Sequence, residues 1–138
     1  MSLNQDYPKL AVKQGTKVTN TKQAAKIARE IADQHVEFLA VISVNDAALV
    51  TGARIVSIGG QREALAPICG VFRGAISDGA TGIVLVHNHP NGMVEPSKGD
   101  RKTTKRMIKS GNILQINVLD SIIVSGKKYR SIMHHKGE

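Results

Sequence analysis

His87-Asn88-His89-Pro90, followed by Ser97 and Asp100, is the stretch of this 138-residue chain whose residue types and spacing can do chemistry. Two histidines at i and i+2, leaving the end of a strand, point to one side and can present both imidazoles to one ion. The ten residues between His89 and Asp100 are bent by Pro90, Asn91-Gly92 and Pro96, and are long enough to return a carboxylate to that ion. Two neutral imidazoles and a carboxylate leave a fourth position open on tetrahedral zinc, where water is acidified from a pKa near 16 to about 7. Hydroxide is then at hand at neutral pH. In a chain with five histidines an H-x-H pair is a weak motif by itself. Its context strengthens it: an apolar strand ends at the first His, Pro follows the second, and Ser and Asp stand three apart. The bland alternative is a hydrogen-bonded loop.

The elements that must position these groups lie on both sides. Thr19, Asn20 and Thr21 offer N-caps, and Ala24, Ala25, Ile27, Ala28, Ile31 and Ala32 recur at helical steps, predicting a helix to about Gln34. Val36 to Val44 and Leu49 to Ile58 are β-rich around the Asn45-Asp46 turn, which reads as a hairpin closed by Gly59-Gly60. Leu65, Ile68, Val71, Phe72, Ala75 and Ile76 predict a second helix starting near Pro67. Gly82 to Val86 is a short all-apolar run, a strand buried on both faces that delivers His87. Residues 88–100 read as loop and residues 101–110 as a basic helix ended by Gly111. Ile113 to Val118, Ser121 to Ser125 and Tyr129 to Ile132 read as three short strands, the last two joined at Gly126-Lys127. Helices alternating with strands in this order predict an α/β fold, a mixed β-sheet sandwiched by helices. Residues 1–18 are expected to be a leader, 19–133 the domain, and 134–138, with His134-His135, a tail.

Composition bounds the rest. With 41% hydrophobic and 22% charged residues, the chain reads as one soluble globular domain able to close a core without cross-links. The lone Cys69 cannot pair within the chain and fits a reducing compartment. The first residues lack the order of a signal peptide and no apolar run is long enough to span a membrane, so a cytoplasmic protein is expected. A net charge of +8 favours polyanionic partners, although two Tyr, two Phe and no Trp leave few stacking platforms for single strands. Lys98, Arg101, Lys102, Lys105, Arg106 and Lys109 crowd one helix face. They form either a solvated surface or a contact for nucleic acid or an acidic protein. Other zinc chemistries fit worse: neither H-x-E with P-C-x-x-C nor H-E-x-x-H is present. Cys69, amid Ile68, Gly70 and Val71, is expected to be a small buried hydrophobe.

H-N-H-P-N-G-M-V-E-P-S-K-G-D resembles the signature of the JAB/MPN (JAMM) metallopeptidase domain, and more closely its RadC branch, which reads H-N-H-P-S-G with P-S-x-x-D downstream. Val71-Phe72-Arg73, Thr104, Ser110-Gly111, Ile116, Val118-Leu119-Asp120 and Ile122-Ile123 extend the resemblance over roughly residues 19–132. It implies a JAB/MPN (cytidine deaminase-like) architecture, with zinc held by His87, His89 and Asp100. It also implies Ser97 as the hydroxyl that steadies an oxyanion and Glu37 as the catalytic acid and base, with Glu63 and Glu30 weaker candidates. The implied reaction is metal-assisted hydrolysis of a peptide or isopeptide bond. Two departures stand out: Ile68-Cys69-Gly70 replaces the usual Pro-Arg-Glu, and Ser121 replaces the usual His. The chain is also expected to lack the helical module that longer RadC proteins carry, so the family's DNA-repair label is expected to carry over weakly. The competing expectation is a catalytically inactive RadC-like module that binds DNA or a repair protein through the 98–109 face.

Overall fold

The computed structural model describes residues 10–58 and 68–134. Asn20 starts α1 (Thr21–Ile27) by accepting the Gln23 backbone N–H at 2.8 Å. The alanine-rich stripe continues into a single turn, α2 (Arg29–Ala32), so the expected continuous helix is interrupted. Ala28 leaves helical geometry at φ −94° and ψ 20°, yet its N–H still reaches the Ala24 carbonyl and its side chain stays buried. The hairpin forms as read from the sequence, with β1 (Phe38–Val44) antiparallel to β2 (Val50–Ile58). After α3 (Ile68–Ser77) come β3 (Gly82–Asn88), α4 (Lys98–Leu114), β4 (Asn117–Ser125) and β5 (Lys128–Ser131).

The five strands form one sheet in the order β2-β1-β3-β4-β5. β3 and β4 pair in parallel and the other neighbours are antiparallel, giving a mixed sheet. A parallel pair needs a long crossover, and α4 supplies it. One face packs Ala24, Ile31 and Ala32 of the first helices on Ile42, Val84, Val86 and Ile122. The other packs Val71 and Phe72 of α3 and Met107 of α4 on Val41, Ile83 and Leu85. Helices therefore cover both faces, as in a JAB/MPN-type fold. Each fully buried Val, Leu or Ile contributes about 1.5–3 kcal/mol to these two cores.

Three expectations need correction. Helix α4 begins at Lys98, three residues earlier than read, because Ser97 is its N-cap. It runs through Gly111 to Leu114 and ends at Gln115, whose left-handed φ of 61° does the work expected of the glycine. A Cβ on Gly111 would strike the Ile116 carbonyl oxygen, so the glycine marks a close approach of the outgoing chain. Ile113 is consequently helical, and the two strands expected over 113–125 are one. The register steps from Ile83↔Val118 to Val84↔Asp120, leaving Leu119 as a bulge with 44% of its surface exposed.

The described part of the expected leader is tied to the sheet. Gly15 and Val18 donate to Val50 and Ala48 carbonyls, Val50 donates to Thr16, and Val18 is buried. No helix among the described residues is long and apolar enough to cross a membrane. Gly59-Gly60, Glu63, Leu65, Pro67 and His135 lie outside the described residues.

Candidate metal centre

His87 leaves β3 opposite Leu39 of β1, on the sheet face that Val41 and Leu85 share with α3 and α4. His89 follows the strand, its N–H donating to the Val124 carbonyl and its own carbonyl accepting the Ser125 hydroxyl at 2.6 Å. Gly92, at φ 84°, then turns the chain so that its N–H meets the His89 carbonyl. The loop is fastened to β5 by Lys128, which donates to the Gly92 carbonyl, and by the Arg130–Glu95 ion pair. It ends in a capping box: the Ser97 hydroxyl accepts the Asp100 N–H at 3.0 Å and Asp100 Oδ2 accepts the Ser97 N–H at 2.9 Å.

This frame brings the three expected ligands together. Asp100 Oδ1 lies 3.2 Å from His87 Nε2, Asp100 Oδ2 lies 3.1 Å from His89 Nε2, and the two Nε2 atoms are 3.2 Å apart. Their side chains are 13–15% exposed, largely sheltered at the mouth of the strand. Donors bound at about 2.0–2.1 Å to a tetrahedral ion stand about 3.3 Å from each other, so the spacing fits one small cation. The group is one nitrogen–nitrogen–oxygen set with its donor atoms within 4.8 Å of one another. His89 Nδ1 is 3.1 Å from the Met93 carbonyl, so that nitrogen carries the proton and Nε2 faces the donors.

The electrostatics follow. The hydrogen bond to Asp100 raises the pKa of His89 above its ordinary value, against the opposing cost of burial. The charges of Asp100 and Glu37 add to the rise. Burial pushes the Asp100 carboxyl up, but hydrogen bonds from His87 and His89, the His87 charge and the Ser97 N–H outweigh it. They hold Asp100 well below the usual carboxylate range.

Glu37 is exposed just before β1. Its charge raises the proton affinity of His89. Glu30 lies on α2, which packs on the opposite face of the sheet. Ser121 is buried beneath α4 and accepts the Thr104 hydroxyl at 3.0 Å. Cys69 departs from expectation: it opens α3 on the outside, exposed, and its Sγ accepts from Arg73 one turn on. Lys98, Arg101, Lys102, Lys105, Arg106 and Lys109 are all exposed along α4. Sequence reading gave no role to Asn88, which is fully buried between the two histidines. Its signal was weak, a polar residue on the inward beat of an apolar strand.

Residues 18–137 match the family model described as the RadC-like JAB domain. A UPF0758 protein of Flavobacterium johnsoniae is 34% identical over 119 residues, covering 85% of this chain and 52% of the relative. One from Rubrobacter xylanophilus is 40% identical over 105 residues, covering 76% and 46%. One from Thermotoga maritima is 34% identical over 115 residues, covering 83% and 52%. The chain thus spans about half the length of the curated relatives it matches.

Proposed function

Because the chain belongs to the RadC-like JAB domain family, we propose that it is a zinc-dependent hydrolase of the JAB/MPN (JAMM) type that cleaves a peptide or isopeptide bond. The observation that carries this reading is the convergence of His87 Nε2, His89 Nε2 and the Asp100 carboxylate within 3.2 Å. Two imidazoles and one carboxylate suit zinc and leave coordination room for a reactant. Zinc bound there would supply a Lewis acid and water acidic enough to attack a carbonyl at neutral pH.

The chain's own residues do the rest. Glu37, whose charge acts on His89, takes a proton from the attacking water and returns it to the leaving amine. Ser97 spends one lone pair on the Asp100 N–H, which leaves its O–H proton to donate to the tetrahedral oxygen. His89 is held in the ligating tautomer by Met93, and Asp100 is aimed by the helix it caps.

The test is hydrolysis of an isopeptide-linked peptide by protein purified without chelator. Amine release that requires zinc and disappears in Glu37→Gln supports the proposal; release that survives chelation contradicts it. The exposed cations of α4, which start one residue after Ser97, favour a second reading, in which an inactive module binds DNA or a repair protein. That reading expects binding that weakens steeply with salt and survives His87→Ala. In the first reading the same face draws an acidic protein substrate toward the donors. The lone Cys69 supports placing either activity in the cytoplasm.

A further inference from the structure

Asn88 stands between the two histidines in sequence, but its carboxamide serves another part of the chain. Oδ1 accepts the Phe38 N–H at 2.7 Å and Nδ2 donates to the Val36 carbonyl at 2.9 Å, with the Gln34 carbonyl at 3.5 Å. The Val36 carbonyl and the Phe38 N–H belong to the two peptide units that flank Glu37. Fixing both planes fixes the backbone angles of Glu37 and hence the direction in which its side chain leaves the chain. The partners also fix the amide's orientation, since an N–H needs the oxygen and a carbonyl needs the nitrogen.

The position explains why a side chain is needed there. The β1–β3 ladder ends at Leu39↔His87, and His89 turns its N–H to Val124 on β4. Glu37 thus lies where no backbone of β3 remains to hold it, and the Asn88 side chain takes over. Serine is too short to reach both groups, and aspartate offers nothing to the Val36 carbonyl.

We propose that Asn88 is a positioning residue: from within the ligand segment, it holds Glu37 over the His87, His89 and Asp100 donors by clamping the peptides on either side of it. The inference rests on the metal-centre reading above and adds a coupling between ligands and base through one buried side chain.

A double-mutant cycle tests it with acetohydroxamate, a small zinc-chelating probe, titrated by calorimetry into the zinc-loaded full chain. In the wild-type background Glu37→Gln is expected to weaken probe binding about tenfold, the scale of one lost charge-assisted hydrogen bond. In an Asn88→Ala background the same change is expected to cost less than about twofold, with zinc affinity kept. Asn88→Asp, nearly isosteric, is the second variant should the alanine fail to fold. Amide exchange gives a metal-free arm, in which Asn88→Ala is expected to deprotect Phe38 while Val41 and Ile42 keep their protection. An equal Glu37→Gln effect in both backgrounds, no such effect in the wild type, loss of zinc in the Asn88 variants, or unchanged Phe38 protection each overturns the proposal. A wild-type chain that takes no zinc overturns the metal reading as well, which separates that failure from failure of the Asn88 role alone.

Discussion

At the end of β3 three side chains bring their polar atoms within 3.2 Å of one another. Across the sheet, five cationic side chains, Lys22, Lys26, Arg29, Lys127 and Lys128, surround a cleft of about 530 Å³ with Asp33 and Tyr129, and none of them forms an ion pair among the described residues. The first group converges because each member is fixed by backbone: a strand, a turn fastened at Met93, and a capping box. The second spreads because long side chains on α1, α2, a turn and the start of β5 need no fixed geometry to be solvated. Convergence makes a site for one ion, whereas spread charge makes a field that salt screens. Lys128 links the two regions, lining the cleft while its Nζ holds the Gly92 carbonyl.

The largest expected effect separates them directly. His89→Ala should lower zinc affinity by more than about a hundredfold, beyond the 10–100-fold typical of outer-shell changes. Reversing Lys26 and Lys127 to Glu should leave it unaltered; competition with a chromogenic chelator reads both. Glu37→Gln comes next, with turnover expected to fall about 10²–10⁴-fold while zinc content stays at one per chain.

Ser97 sharpens the comparison further, because it is both cap and proposed oxyanion donor. Ser97→Ala should cost about 0.5–2 kcal/mol in denaturant unfolding and Ser97→Gly only a few tenths. Both should lose about 10²–10³-fold in turnover. A turnover loss that tracked stability across the pair would remove the oxyanion role.

The fourth prediction concerns pH. The raised His89 pKa gives the metal-free chain stability that is fully present below 6.5 and is lost as pH rises through the folded value. The depressed Asp100 pKa gives stability present above 3.8 and lost as pH falls through its folded value. Thermal melts of the metal-free protein should therefore show this contribution at pH 5.5, a decline toward pH 8, and no such decline in Asp100→Asn. With zinc the trend reverses, since protons compete for the ligands. The smallest effect belongs to α4: Lys102→Glu with Lys105→Glu should change only the salt dependence of polyanion encounter.

What the sequence showed follows from where the constraints are local. The all-apolar run before His87 and the β-branched stretches around Asn45-Asp46 announced β3 and the hairpin, and H-x-H with S-x-x-D announced the donor set. The start of α4 was also legible, since Ser97 and Asp100 have capping-box spacing, but the ligand pattern hid the cap. Gly111 as a close approach to Ile116 and Gln115 as the helix stop were not, because Ile113 to Val118 reads as strand, and neither was Leu119 as a bulge, which depends on where β3 lies. Asn88 belongs with them, since its partners are fifty residues away in the chain. Glu37 is named by the resemblance alone, since no local pattern marks it. Cys69 misled because apolar neighbours in sequence do not say which side of a helix faces out.

Elemental analysis of protein purified without chelator, run beside Asp100→Ala, bears most directly on the central claim. One zinc per wild-type chain, displaced in the variant while both melt cooperatively, is the expected result. Wild-type protein that folds yet takes no zinc even from excess, or a variant that keeps it, would contradict the account.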